Sequence, residues 1–285
     1  MDKHSKNIFC EYTVKSWEDC LNLFRTIDGW VFRGQSNSDW ALKTTLERGA
    51  EIHSTNFRDT PVVEANIIEK FQRRANHYSD NTPEKEDILE WLSLIQHHGG
   101  PTRLLDFSYS YYISLFFSID QAFQESAVYC LNKKLVSEKG LETEVWRGLP
   151  EGKTFGTREY CNYALKEQTL SPLVMLVEPF NIHERLSRQQ GLFVVPFEGR
   201  QSFEYNLSLT VNRFQKSLPK SRTLTEFASI LDVLANECAL LKVKIPKSLH
   251  NEIRSELKLM NITSETLFPG IDGFSKSLFG EFELN

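Results

Sequence analysis

The stretch from Gln96 to Phe123 constrains this chain more than any other. Its first part, Gln96-His97-His98-Gly99-Gly100-Pro101-Thr102-Arg103-Leu104-Leu105-Asp106-Phe107-Ser108, surrounds a Gly-Gly-Pro turn with imidazole, hydroxyl, guanidinium and carboxylate groups. Its second part, Ser110 to Phe123, is so apolar that a helix formed there must be buried nearly all round. The polar cluster just before it is thereby drawn toward the interior. Buried ionisable groups are costly unless paired, so the cluster is either a structural network or a site. If Thr102 to Ser108 is extended, Thr102, Asp106 and Ser108 share one face and Arg103 points the other way. If it turns, Arg103 and Asp106 come within salt-bridge reach. The mixture of chemical types favours a site.

A chain of 285 residues, 40% apolar and 12% aromatic, has the means to build a sizeable core around such a helix. The pattern predicts helices over Ser16–Ile27, from Thr60-Pro61 to Tyr78, from Thr82-Pro83 to the Gly99-Gly100-Pro101 stop, and over Ser110–Phe123. Shorter helices are expected at Ile182–Gln190, Leu224–Asn236 and Leu249–Met260. Strands are expected at Trp30–Gly34, Ala127–Leu131, Leu173–Val177, Gly191–Val195, Tyr205–Val211 and Ala239–Ile245. The class read from this order is α+β: a helical N-terminal portion followed by a mainly antiparallel sheet with flanking helices. One domain over 1–285 is expected, with residues 1–28 as a helical lead-in. The glycine-rich stretch Ser137–Thr157 reads as a linker or a loop over a site.

The charge balance, 33 basic against 38 acidic residues, argues against a general polyanion binder. Five cysteines at long spacings, with no C-x-x-C pair, fit reduced thiols in a cytoplasmic compartment better than a disulfide framework. The polar start lacks the apolar run of a signal peptide, and no window reaches the ~18 apolar residues of a membrane span, so no membrane association is expected. Metal and hydrolase signatures are missing as well. His97 and His98 are adjacent rather than four apart, and neither H-E-x-x-H nor G-x-S-x-G occurs.

A second unusual segment is Phe32-Arg33-Gly34-Gln35, an arginine closing an apolar strand beside a glycine. Its guanidinium offers a planar fork of donors for phosphate or carboxylate, although a strand-end ion pair is the plainer reading. Together with the 96–108 stretch, Phe32-Arg33-Gly34 resembles the FRG domain, named for that tripeptide. Two further pieces agree: Arg185-Leu186-Ser187-Arg188-Gln189-Gln190-Gly191-Leu192-Phe193, and Leu267-Phe268-Pro269-Gly270-Ile271-Asp272-Gly273. The resemblance runs from about Trp30 to Phe274, with His98 and Gly100 standing where Tyr and Leu are more usual. It implies a bacterial cytoplasmic protein, for which a toxin or phage-defence effector is the setting suggested.

The leading expectation is a nucleotide- or NAD-handling protein, related to ADP-ribosyltransferases, with NAD as substrate and a nucleic acid or protein as acceptor. An aromatic-Arg pair on a first strand resembles the phosphate clamp of those enzymes. In that reading Arg33 holds pyrophosphate, His97 and Thr102 position ribose or nicotinamide, and Asp106 or Glu178 supplies the carboxylate. Gly34, Gln35, Arg103, Arg185 and Gln189 are expected to line the ligand. The alternative is a non-catalytic module that senses a nucleotide or a nucleic-acid phosphate through Arg33, Arg103 and Arg185. Arg213, Lys216, Lys220 and Arg222 would add positive charge to it. For His97 a helix C-cap is the simpler role, Gln189 has a backbone bond as its simpler reading, and Trp40 and Trp91 read as core.

Overall fold

Eight strands drawn from along the chain assemble into one sheet. They are β1 (Cys10–Thr13), β2 (Val31–Gln35), β3 (Leu105–Ser108), β4 (Ser126–Leu131), β5 (Val174–Val177), β6 (Gly191–Pro196), β7 (Thr223–Leu224) and β8 (Leu240–Ile245). Their order is β5-β6-β3-β2-β4-β8-β1-β7. Neighbours are antiparallel except β1, which runs parallel to both β8 and β7. The computed structural model describes residues 9–134, 136–137, 156–168, 172–212, 223–224 and 240–283. The α+β class and the mainly antiparallel sheet are therefore as expected. The division into helical and sheet halves is not, because β2 and β3 from the first half sit in the middle of the sheet. Long-range pairing, to which no local pattern refers, decides that order.

The helices are α1 (Trp17–Thr26), α2 (Thr45–Ile52), α3 (Thr60–Ala75), α4 (Ile88–His97), α5 (Tyr111–Ile119), α6 (Arg158–Lys166), α7 (Glu184–Arg188), α8 (Phe203–Asn212), α9 (His250–Leu259), α10 (Ser264–Leu267) and α11 (Ile271–Ser277). Cross-strand partners share a face, so the registers sort the packing. On one face, Phe32, Val128, Cys130, Leu241 and Val243 pack with α1, α5 and α9, while Met175, Val177, Phe193 and Val195 pack with α3, α4 and α6. On the other face, Val31, Phe107, Tyr129, Leu192 and Val194 pack with α8.

Three element predictions are corrected. The helix expected over Ser110–Phe123 stops at Ile119, and Phe123 beyond it is exposed. Tyr205–Val211, read as a strand from its alternation, lies inside α8. Its buried apolar residues Phe203, Leu207 and Val211 recur every four positions, and the polar ones between them are satisfied locally. Asn206 caps the Glu198 backbone from both its amide ends, and the Thr210 hydroxyl donates to Asn206 O at 2.8 Å. The helix expected from Thr82-Pro83 starts only at Ile88, where Asp87 accepts from Glu90 N–H; Glu84 lies before it, its carbonyl taking the Trp91 indole N–H at 2.9 Å. Of the helix expected at Leu224–Asn236 only Leu224 is described, in β7, and most of the expected linker lies outside the described residues.

Candidate functional site

β2 and β3 pair at a single position, Phe32 opposite Ser108, and then part. A cleft of about 830 Å³ occupies the gap, so residues of both sheet faces line it. Phe32 and Gly34 face α5, whereas Arg33 and Gln35 alternate to the opposite side. Gly34 is required by packing: a Cβ there would lie 2.0 Å from Ser114 O and 2.5 Å from Ser118 N, so only glycine lets α5 lie this close to the strand.

The end of α4 delivers Gln96 and His97 to the same cleft. Gly99, at φ +77°, closes the helix in the left-handed conformation, and Gly100 N–H bonds Ile95 O at 2.9 Å. A chain of polar contacts then crosses the gap. The Thr102 hydroxyl donates to Gln96 Oε1 at 2.7 Å, and Gln96 Nε2 donates to Asp106 Oδ2 at 2.8 Å. Asp106 Oδ2 faces Arg33 Nη1 at 3.8 Å, and the same nitrogen donates to Asp106 O at 2.6 Å. The Arg33 side chain is 19% exposed, and its buried Nε has no hydrogen-bond partner. Burial lowers the Arg33 pKa and Asp106 opposes the shift; the group stays charged in either case.

The third wall comes from α7. His183 caps it, its Nδ1 accepting from Leu186 N–H at 3.2 Å, and its ring lies 3.9 Å from that of His97. Burial lowers both imidazole pKa values, His183 to about 4, with each further lowered by charges around it: His98 and Arg185 for His97, and His97, Arg185 and His98 for His183. Both rings are neutral near pH 7, and the buried Nδ1 of His97 has no partner. Behind this wall Gln189 Nε2 bonds Leu267 O at 3.2 Å, and Arg185 stacks over Phe268 at 5.0 Å. The fourth sequence motif thus braces the third.

Of the expected site residues, Arg33, Gly34, Gln35, His97, Asp106, Arg185 and Gln189 line the cleft. Thr102 and Arg103 do not. Thr102 is wholly buried, holding Gln96 through its hydroxyl and α2 through its backbone, whose carbonyl takes Leu46 N–H at 3.0 Å. Arg103 is buried against Glu64, with Nε–Oε2 at 2.6 Å and Nη1 on Phe197 O at 3.1 Å. Of the two arrangements left open, the one that would bring Arg103 to Asp106 is not formed; Arg103 pairs with Glu64, which no local spacing could reveal. Glu178 stands in a separate cavity of about 310 Å³, accepting from the Tyr109 hydroxyl. Arg213, Lys216, Lys220 and Arg222 lie outside the described residues.

Other residues line the cleft that no site expectation included, among them Gln96 at the start of its motif and His183, Trp40 and Arg48, which carry no local signal that sets them apart. Trp91 is core, as expected, whereas Trp40 is 56% exposed at the cleft. Among the described residues no cluster of three or more His, Cys, Asp or Glu could hold a metal ion, and no helix is long and apolar enough to cross a membrane. No curated protein and no solved structure matches the chain. Residues 28–127 match the family model of the FRG domain.

Proposed function

With an FRG domain at residues 28–127 as the premise, we propose that the chain binds a nucleotide in the β2–β3 gap, NAD being the ligand that fits its chemistry best. One observation carries this reading: Arg33, with a buried and unpartnered Nε, stands in a cleft of about 830 Å³ that also gathers Arg185 and two neutral imidazoles. That volume is in the range of small-molecule sites. The 3.8 Å contact with the Asp106 carboxylate is a loose pairing; Nη1 is held on Asp106 O at 2.6 Å, and the rest of the guanidinium fork is left for phosphate oxygens. His97 Nδ1 offers a neutral group for a ribose hydroxyl or the nicotinamide amide.

The reaction consistent with these groups is ADP-ribosyl transfer to a macromolecule. The bond from ribose C1′ to nicotinamide breaks and its electron pair leaves with the ring, neutralising the pyridinium. The acceptor nucleophile attacks C1′ and gives up its proton to solvent. Asp106, held through Oδ2 by Gln96, is the carboxylate placed to stabilise positive charge developing on the ribose. Thr102 serves as a positioning residue through Gln96.

The test is a thermal shift with NAD and ADP-ribose, followed by nicotinamide release in the presence of cell extract. A ligand that binds only the folded state adds about 2.7 kcal/mol at a hundredfold excess over its Kd. Arg33→Ala should abolish the shift, and Asp106→Asn should keep the shift but lose release. A shift without release in the native protein identifies the sensing module instead. No shift with any nucleotide defeats the reading.

A further inference from the structure

Trp40 presents its ring to the cleft although the loop carrying it is firmly held. The Ser38 N–H donates to Glu125 O at 2.9 Å and its hydroxyl to Glu125 Oε1 at 2.8 Å. Asn37 Oδ1 accepts from Asp39 N–H at 2.8 Å, and the Trp40 carbonyl accepts from the Tyr129 hydroxyl at 2.6 Å. The exposure of the indole is thus a property of an ordered loop. A flat ring on a fixed backbone has only two torsions to lose when something stacks on it.

Gln35 stands on the same side of β2 as Arg33 and is tied to this loop. Its Nε2 donates to Ala41 O at 3.5 Å. That contact favours this amide orientation, since the flipped form would set two acceptors against each other. Gln35 Oε1 is then buried in the cleft with no hydrogen-bond partner. Buried acceptors in folded proteins are nearly always paired with protein groups or water, so an acceptor without a protein partner at a cleft wall is free to take a ligand donor.

We propose that Trp40 and Gln35 form a subsite for a heteroaromatic ring with an N–H edge, the ring stacking on the indole and the N–H donating to Gln35 Oε1. The inference rests on the nucleotide reading of the cleft, and its two sources are the amino-bearing purine and the carboxamide-bearing pyridine of a dinucleotide. Arg33 would hold the phosphates on the same strand face, two residues away.

The experiment measures binding of ADP-ribose, nicotinamide mononucleotide and inorganic pyrophosphate to the native protein and to Trp40→Ala, Trp40→Phe and Gln35→Leu, by calorimetry and tryptophan emission. ADP-ribose brings only the purine, the mononucleotide only the pyridine, and pyrophosphate no ring. Whichever ring-bearing compound binds should lose about tenfold or more in affinity in Trp40→Ala, the range of base–aromatic stacking. Trp40→Phe should retain most of the affinity but lose the quenching of emission, and Gln35→Leu should weaken the same compound. Pyrophosphate should bind all three variants as it binds the native protein. Equal affinity of Trp40→Ala and native protein for both ring-bearing compounds overturns the proposal, as does an equal loss for pyrophosphate or failure of both ring-bearing compounds to bind. Unchanged pyrophosphate binding in Arg33→Ala strikes the phosphate clamp alone, so the two failures are distinguishable.

Discussion

Arg33 and Arg103 are both motif arginines, and their surroundings separate them. Arg103 and Glu64 are side chains only 4% and 5% exposed, paired with each other and further held by backbone groups. Removing one member of such a pair leaves a buried charge, so Arg103→Ala should cost about 3–5 kcal/mol in a denaturant titration. A loss below ~1 kcal/mol, near the range of exposed pairs, would contradict the buried-pair assignment. The imidazoles make a second residue-scale prediction. With folded pKa values below the ordinary 6.5, and about 4 for His183, the unfolded chain takes up protons first as pH falls. Stability from this pair is present in full above pH 6.5 and is lost as the pH drops toward about 4. His98 and Arg185 face the same rings and oppose their protonation. His183→Asn keeps an acceptor for the α7 cap but does not titrate, so its melting temperature should fall less steeply over this window. A slope equal to that of the native protein would remove His183 from the acid response.

At the scale of elements, the contact of α5 with β2 leaves no room for a side chain at Gly34 of the Phe-Arg-Gly segment. Gly34→Ala places a methyl against two backbone atoms of α5, neither of which can rotate away, so the helix must lift from the strand. A loss of about 1–3 kcal/mol or more is expected from chemical denaturation. Gly49 in α2 is the control: its Cβ position is open, and Gly49→Ala should gain about 0.5–1 kcal/mol. Comparable losses at both positions would show that helix packing on β2 is not the constraint. The helix starts and stops were mostly readable in advance because they rest on local signals, as with Ser16 accepting from Asp19 N–H and Gly99 closing α4. α8 was misread because a short run of alternating apolar residues satisfies either period, and only its packing against β5 and β6 distinguishes them.

Across the whole molecule, the cleft exists because β2 and β3 separate after one register pair while helices on the α5 side and on the α4–α7 side cover the sheet to either side of the gap. The sequence alone determined which polar groups stand out from apolar surroundings and which elements present them: an arginine at a strand end, an imidazole at a helix end, a carboxylate on the next strand. Those properties depend on neighbours a few positions away. What only the tertiary structure decided was partnership. Arg103 found Glu64 rather than Asp106, Thr102 turned to Gln96, and Glu178 fell into another cavity, while Trp40 and His183 came to the cleft unannounced. Charge pairing and burial are set by groups tens of residues apart in the chain, and their proximity is a consequence of strand order, which no local spacing encodes.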